Sequence, residues 1–381
     1  MFKNKFYILS LIVGLVLALI LVVAQFPTAR PVAKNVPVAI VNEDNGAMGK
    51  QVTDKLTSLD SFGEGKSATI LNWTTVSSKA DLKKAMDQEK YYGAIVIPKD
   101  FSKHMGEMTK TGKSTSVDII INQAMNGTLA NNIQVLLSGM ITTMSTNMGQ
   151  EMLNQFKANN VPLQGVNIDA ITNPVTSNVE IVHSVKDKNS ASSAYFQPLW
   201  MASLFATFLI YTASKSVNIK QKRELWQLRL GQVGFIAIIA PIIGMTTTWL
   251  VTQILNYTYD DFWKMAFFSM IGAASFMLIM FALEMWLGFA ALPVIALLML
   301  FSAPLMQLAP EMIPAVYHDW LFPWLPIKFL LDGAKSIVYY GAELFNPNTW
   351  NLILVGSVGL VLTFTSIIKD WFLIKRQLNK A

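Results

Sequence analysis

The sequence predicts a polytopic α-helical membrane protein with six transmembrane helices, one before and five after an extracytoplasmic α/β domain. Three observations lead to this prediction. The 381 residues are 52% hydrophobic and 14% charged, whereas soluble domains carry about 25% charged residues. Long uncharged runs recur along the chain, and each is long enough for a bilayer-spanning helix. Lysine and arginine cluster in short connections beside these runs, which marks the cytoplasmic side of a membrane.

The stretch from Phe196 to Gln232 sets the orientation. No charge falls between Lys188 and Lys215, so Phe196–Ser214 is predicted to span the membrane. The connection that follows is strongly basic, and a basic connection beside a span is typically cytoplasmic. Its charged residues are Lys215, Lys220, Lys222, Arg223 and Arg229, with Glu224 as the single acid.

Residues 1–26 are predicted to form an N-terminal transmembrane anchor. Phe6–Val23 is apolar and follows Lys3 and Lys5. A cleaved signal peptide is the alternative, but its apolar region usually has about 7–15 residues, and this run is longer. We therefore expect a retained anchor with a cytoplasmic N terminus.

Residues 27–194 are predicted to form one extracytoplasmic α/β domain. Short β-type runs alternate with helical patterns, which is typical of a small sheet with helices packed on it. The segment Val161–Val185 shows no clear pattern. The predicted strands are Val36–Asn42, Ala68–Trp73, Tyr91–Ile97 and Ser116–Ile121.

A long amphipathic helix is predicted after the fourth strand, because apolar residues recur there every three or four positions. This stripe either packs on the sheet of its own domain or forms a dimer seam or stalk, and spacing alone does not distinguish these alternatives. Its members are Leu129, Ile133, Leu137, Met140, Met144, Met148, Met152 and Phe156.

Residues 195–381 are predicted to form a five-helix membrane domain. The run from Met265 to Gln307 is too long for one span, so we expect two spans joined by a tight cytoplasmic turn near Glu284–Gly288. The outward segment before the last span is rich in aromatic residues, and Phe329–Tyr340 is expected to form an interfacial helix. The other spans are Phe196–Ser214, Leu230–Tyr259 and Trp350–Ile368, which leaves the C terminus cytoplasmic.

The sequence contains no pattern typical of an enzyme, a metal centre or a cofactor site. It has no cysteine, and its three histidines are far apart. Gly65-Lys66-Ser67 and Gly112-Lys113-Ser114 lack the earlier glycine that a phosphate-binding loop requires. The net charge of +6 comes from residues beside hydrophobic runs, so we expect membrane lipids rather than nucleic acid as partners.

Glu284 is the one carboxylate inside a long apolar stretch. Carboxylates buried in a membrane often mark ion or proton paths. The alternative is a turn residue at the cytoplasmic interface, because the prediction of two spans requires a turn there.

The basic connection is the second candidate site, as a contact surface for a separate ATPase. A short helix from Gln221 to Leu230 is expected there, with Trp226 as an aromatic anchor, since Trp and Arg often dominate interface energy. The alternative is that these cations only fix the topology and contact lipid head groups. The candidate contact residues are Lys220, Lys222, Arg223, Trp226 and Arg229.

Three stretches resemble the phage-infection-protein (YhgE/Pip) family. They are Val36-Pro-Val-Ala-Ile-Val-Asn-Glu-Asp-Asn-Gly46, Tyr92-Gly-Ala-Ile-Val-Ile-Pro-Lys-Asp-Phe-Ser102 and Trp324-Leu-Pro-Ile-Lys-Phe-Leu-Leu-Asp-Gly-Ala-Lys-Ser-Ile-Val-Tyr-Tyr-Gly341. The one-plus-five arrangement of spans is similar to permeases of the type-2 ABC exporter family. The outer domain is much shorter than in those relatives that resemble phage receptors or secretion components.

The resemblance implies a multi-pass protein of the cell membrane, homodimeric and paired with a separate ABC ATPase. The leading interpretation is the permease subunit of an exporter of amphipathic or lipid-like compounds, and not itself an enzyme. The alternative is a non-transporting scaffold or receptor that acts through its outer domain, as a secretion-system accessory or phage-receptor-like protein.

Overall fold

The computed structural model describes residues 15–16, 19–20, 22–28, 31–58, 70–159, 168–185 and 192–378. The chain divides into two compact units. The α/β unit contains Val32–Lys186 and the short segment Ala309–Met312, and the helical unit contains the rest. Most of the predicted anchor Phe6–Val23 lies outside the described residues, while residues 22–28 are helical.

The α/β unit is built on a five-stranded sheet, with the strands in the order β2-β1-β3-β4-β5. Strands β3 and β4 are antiparallel, and the other neighbouring pairs are parallel. The strands are β1 (Val36–Asn42), β2 (Leu71–Thr75), β3 (Gly93–Ile97), β4 (Thr115–Asn122) and β5 (Val175–Val182).

Five helices accompany the described part of this sheet. They are α1 (Ala47–Thr57), α2 (Lys79–Asp87), α3 (Phe101–Thr111), α4 (Gly127–Ala158) and α5 (Ile168–Thr172). The first half of α4 packs on the sheet of its own unit, because Leu129, Ile133 and Leu137 share one buried cluster with Ile95 and Ile119. In the first half of α4, the apolar stripe therefore packs on the sheet of its own unit, as the first of the two alternatives predicts.

Two of the stretches that carry the family resemblance lie side by side in this unit. Strand β1 pairs with β3, and beyond them the Ser102 hydroxyl donates to the Asp44 carboxylate at 2.5 Å. Burial raises the pKa of Asp44, but hydrogen bonds from Ser102 and from the backbone of Gly46 and Gly49 outweigh it, so the net pKa is lowered. Asp44 therefore fixes the turn that ends β1.

The third stretch, Trp324–Gly341, belongs to the helical unit. The helices that follow residue 192 are α6 (Phe196–Ser214), α7 (Lys222–Ile254), α8 (Phe262–Leu287), α9 (Ala291–Leu305), α10 (Ala315–Trp320), α11 (Pro326–Tyr340) and α12 (Pro347–Leu378). The interfacial helix expected at Phe329–Tyr340 is present as α11 and starts three residues earlier at Pro326, which suits the first turn of a helix.

Four segments within the described residues are long and apolar enough to cross a membrane. They are Ser193–Ser214, Lys222–Ile254, Phe262–Leu305 and Pro347–Arg376. The third has 44 residues, and it is interrupted by a 3₁₀ turn at Gly288–Ala290, where Gly288 has φ of 65°. That conformation suits glycine, so the helix breaks next to the turn that the sequence predicts.

Helix α8 is the centre of the helical unit and contacts α6, α7 and α12. Two glycines allow close helix packing. A Cβ at Gly244 of α7 would lie 2.4 Å from the backbone nitrogen of Met270, and a Cβ at Gly359 of α12 would lie 2.5 Å from that of Ile279. These contacts fix α7 and α12 against α8, and α12 carries partners of the predicted site residues.

Candidate functional site

The predicted contact segment joins α6 to α7 and is shorter than the sequence suggests. Only residues 215–221 lie between the two helices, because α7 starts at Lys222 and continues without a break into the apolar run. Glu224 closes a capping box with Gln221 and accepts hydrogen bonds from the backbone nitrogens of Lys220 at 2.7 Å and Gln221 at 3.1 Å. The short helix expected at Gln221–Leu230 is therefore the first part of α7.

Four of the five predicted contact residues lie on the surface of the helical unit. Lys220, Lys222 and Arg223 are exposed. Trp226 is 43% exposed and stacks on Phe364 of α12, with ring centroids 5.7 Å apart. Leu225 is buried, and the outward face of α7 carries Trp226 together with Lys222 and Arg223, which lie four and three positions before it.

Arg229 is not part of that outward face. Its side chain is 5% exposed and forms a salt bridge with Asp370 of α12, while it also donates to the side chain of Gln232 at 2.6 Å. The structure thus separates Arg229 from the other four residues and gives it a role in joining α7 to α12. A contact of Arg229 with an ATPase stays a prediction.

Asp370 and Lys369 are functional candidates that the sequence reasoning missed. Lys369 donates to the backbone carbonyls of Met285 and, at 3.1 Å, Trp286, near the end of α8, where a cation is favourable. Asp370 is the single acid between Glu343 and the end of the sequence, within a basic cluster. That isolated acid was the available signal for an ion pair.

Glu284 lies fully buried in α8, one turn before the helix ends. Its Oε1 accepts a hydrogen bond from the Thr207 hydroxyl of α6 at 3.1 Å, and Oε2 has no hydrogen-bond partner among the described residues. The Thr207 hydroxyl is also near the carbonyls of Ser203 and Leu204, so one proton serves three acceptors. Glu284 therefore lies in the interior of the helical unit, between α6 and α8. A role in an ion or proton path stays a prediction.

Within the described part of the chain, no group of three histidine, aspartate, glutamate or cysteine side chains is placed to hold a metal ion. The site thus consists of an exposed basic and aromatic face, a partly buried ion pair between α7 and α12, and a buried carboxylate between α6 and α8. These groups suit contact with another protein and the packing of helices.

Residues 5–368 match the family model described as ABC-2 family transporter protein. No curated protein and no solved structure matches the chain.

Proposed function

This chain belongs to the ABC-2 family of transporter proteins, and from that premise we propose that it is the membrane subunit of an exporter energised by a separate ATPase. The observation that carries the proposal is the family match, which spans both the α/β unit and the helical unit. The subunit itself is proposed not to be an enzyme, and the ATPase is proposed to supply the energy. Within the family, we place it near the YhgE/Pip group, because the three resembling stretches occur in both units.

The proposed cargo is an amphipathic or lipid-like compound. The interior of the helical unit is apolar, yet it contains the buried polar side chains of Ser203, Thr207 and Glu284. A compound with an apolar body and a polar group suits such an interior, since buried polar groups need hydrogen-bond partners.

The proposed topology in the cell membrane has six spans. It adds the N-terminal anchor to the four candidate segments and divides Phe262–Leu305 into two spans at Gly288. The basic connection 215–221 and the basic residues after Ile368 are then cytoplasmic, and residues 27–194 are extracytoplasmic. The charge distribution supports this orientation.

A reporter experiment tests the topology. A reporter fused after Ala381 should be active if it is of a kind that works only in the cytoplasm. A reporter inserted at Lys113 should be active if it is of a kind that works only outside the cytoplasm. Lys113 is an exposed residue in the turn between α3 and β4, so an insertion there should be tolerated. Reporters on the same side of the membrane would refute the six-span arrangement.

Copurification tests the proposed function. The protein, tagged and extracted from its native membrane in a mild detergent, should bring down an ABC ATPase, and the mass of the complex should correspond to two copies of each chain. Addition of the purified protein should change the ATP hydrolysis rate of that ATPase. Recovery of secretion components without any ATPase would instead support the scaffold or receptor alternative.

A further inference from the structure

A cavity of about 580 Å³ opens at the basic end of the helical unit. It lies between the end of α6, the first turns of α7, the end of α8 and the last part of α12. Cavities of about 300–1,000 Å³ are typical of sites for small molecules and cofactors. The space is thus sufficient for the head group of a phospholipid.

The charged side chains of the cavity are unbalanced. Lys215, Arg229 and Lys369 line it, and Asp370 is the only carboxylate among its lining residues. Asp370 pairs with Arg229 and also lies 3.8 Å from the ammonium group of Lys369. The described residues that line the cavity therefore carry three positive charges and one negative charge, which is a net charge of +2.

Among the described residues, neither Lys215 nor Lys369 has a carboxylate to itself, because Asp370 also pairs with Arg229. Lys215 lies over the rings of Tyr211 and Phe289, at 4.6 and 4.4 Å from their centroids, and it has no carboxylate partner among the described residues. Lys369 uses its donors on the carbonyls of Met285 and Trp286. These contacts orient the two ammonium groups.

The Nε of Arg229 is buried and has no hydrogen-bond partner among the described residues, although Arg229 lines the cavity. The rest of the wall is partly apolar and includes Leu225, Leu228 and Leu373. A ligand that fits this wall carries a negative charge at one end and apolar groups at the other. Basic pockets between membrane helices have this chemistry where they bind anionic lipid head groups.

We propose that this cavity binds the phosphate-bearing head group of an anionic phospholipid, with Lys215 and Lys369 facing the phosphate and the leucine side chains contacting the glycerol and upper acyl carbons. The phosphate oxygens accept charge-assisted hydrogen bonds from the two ammonium groups. The site differs from the outward face of α7, because neither Trp226 nor Arg223 lines the cavity.

Lipid binding by the full-length, delipidated protein in detergent tests the proposal. Native mass spectrometry should show tighter binding of phosphatidylglycerol than of phosphatidylcholine, because only the first carries a net negative charge. Lys215→Gln should weaken the binding of phosphatidylglycerol about fivefold, the effect expected for one cation near a head group. Lys215→Arg should retain the binding, since it keeps the charge.

Lys220→Gln is the matched control, because it removes the same charge from the same connection but lies outside the cavity. It should leave the affinity for phosphatidylglycerol unchanged. An equal loss in Lys220→Gln, or no loss in Lys215→Gln, would overturn the proposal. Displacement of phosphatidylglycerol by an equal concentration of inorganic phosphate would overturn the lipid assignment and identify a free anion as the ligand. None of these readouts depends on an ATPase or on transport.

Discussion

Replacement of Asp370 by alanine should destabilise the helical unit by about 3–5 kcal/mol, the usual cost of removing one partner from a buried ion pair. Arg229 is 5% exposed, and Asp370 is 22% exposed. Without Asp370, the guanidinium group would remain between α7 and α12, with Gln232 as its only side-chain hydrogen-bond partner among the described residues. The thermal unfolding midpoint of the purified protein in detergent measures this effect.

The double variant Arg229→Met/Asp370→Ala separates charge burial from the general loss of contacts. It should recover much of the stability, because it removes the unpaired charge and keeps an apolar side chain of similar length. Asp118→Ala is the matched control on an exposed pair, since Lys79 and Asp118 have side chains 46% and 35% exposed. Such pairs contribute about 0–1 kcal/mol. A cost for Asp370→Ala no larger than that for Asp118→Ala would contradict the prediction.

The long helices of the helical unit were largely predictable, because a long uncharged run has few alternatives to a helix in lipid. The sequence predicts a span from Leu230, since the charges before that residue do not favour a bilayer interior, and a separate short helix over Gln221–Leu230. The two form one helix that starts at Lys222, because helix formation does not stop at a membrane boundary and the capping box of Gln221 and Glu224 sets the start.

Strand β5 was not predicted. It lies at the edge of the sheet, and Val179 and Ile181 are 41% and 45% exposed, so its pattern lacks the strict alternation of a strand with one buried face. The pairing of β5 with β4 joins residues about sixty positions apart, for example Val117 and Ser177. The pattern of apolar residues within a short segment does not predict a contact between such distant residues.

The candidate site was predictable only in part, because some of its contacts also join residues that are far apart in the sequence. The exposure of Trp226 and Arg223 follows from the period of a helix beside a membrane. The burial of Arg229 depends on Asp370, which lies 141 positions later in the chain, and the burial of Glu284 depends on Thr207 of another helix. The sequence supplied the residue types, and the packing of α7, α8 and α12 decided which of them face outward.

Trp226→Ala should weaken the association with the proposed ATPase about 30-fold, which corresponds to about 2 kcal/mol and is typical of a tryptophan at the centre of an interface. Trp226 is held in place by stacking on Phe364, yet 43% of its surface is exposed. Lys220, Lys222 and Arg223 lie on the surface nearby in sequence. The measurement is the affinity of the purified protein for the purified ATPase.

Trp249→Ala is the matched control, because Trp249 lies on the same helix and is 52% exposed, but it lies near the other end, far from the basic connection. Both substitutions leave the net charge unchanged, so membrane insertion should remain normal in both. Trp226→Phe should retain most of the affinity, since it keeps an aromatic ring against Phe364. If the basic connection only fixes the topology, Trp226→Ala and Trp249→Ala will bind the ATPase equally well, and the anchor role of Trp226 must be abandoned. A loss confined to Trp226→Ala, with the protein still folded and in the membrane, would establish that the outward face of α7 contacts the ATPase.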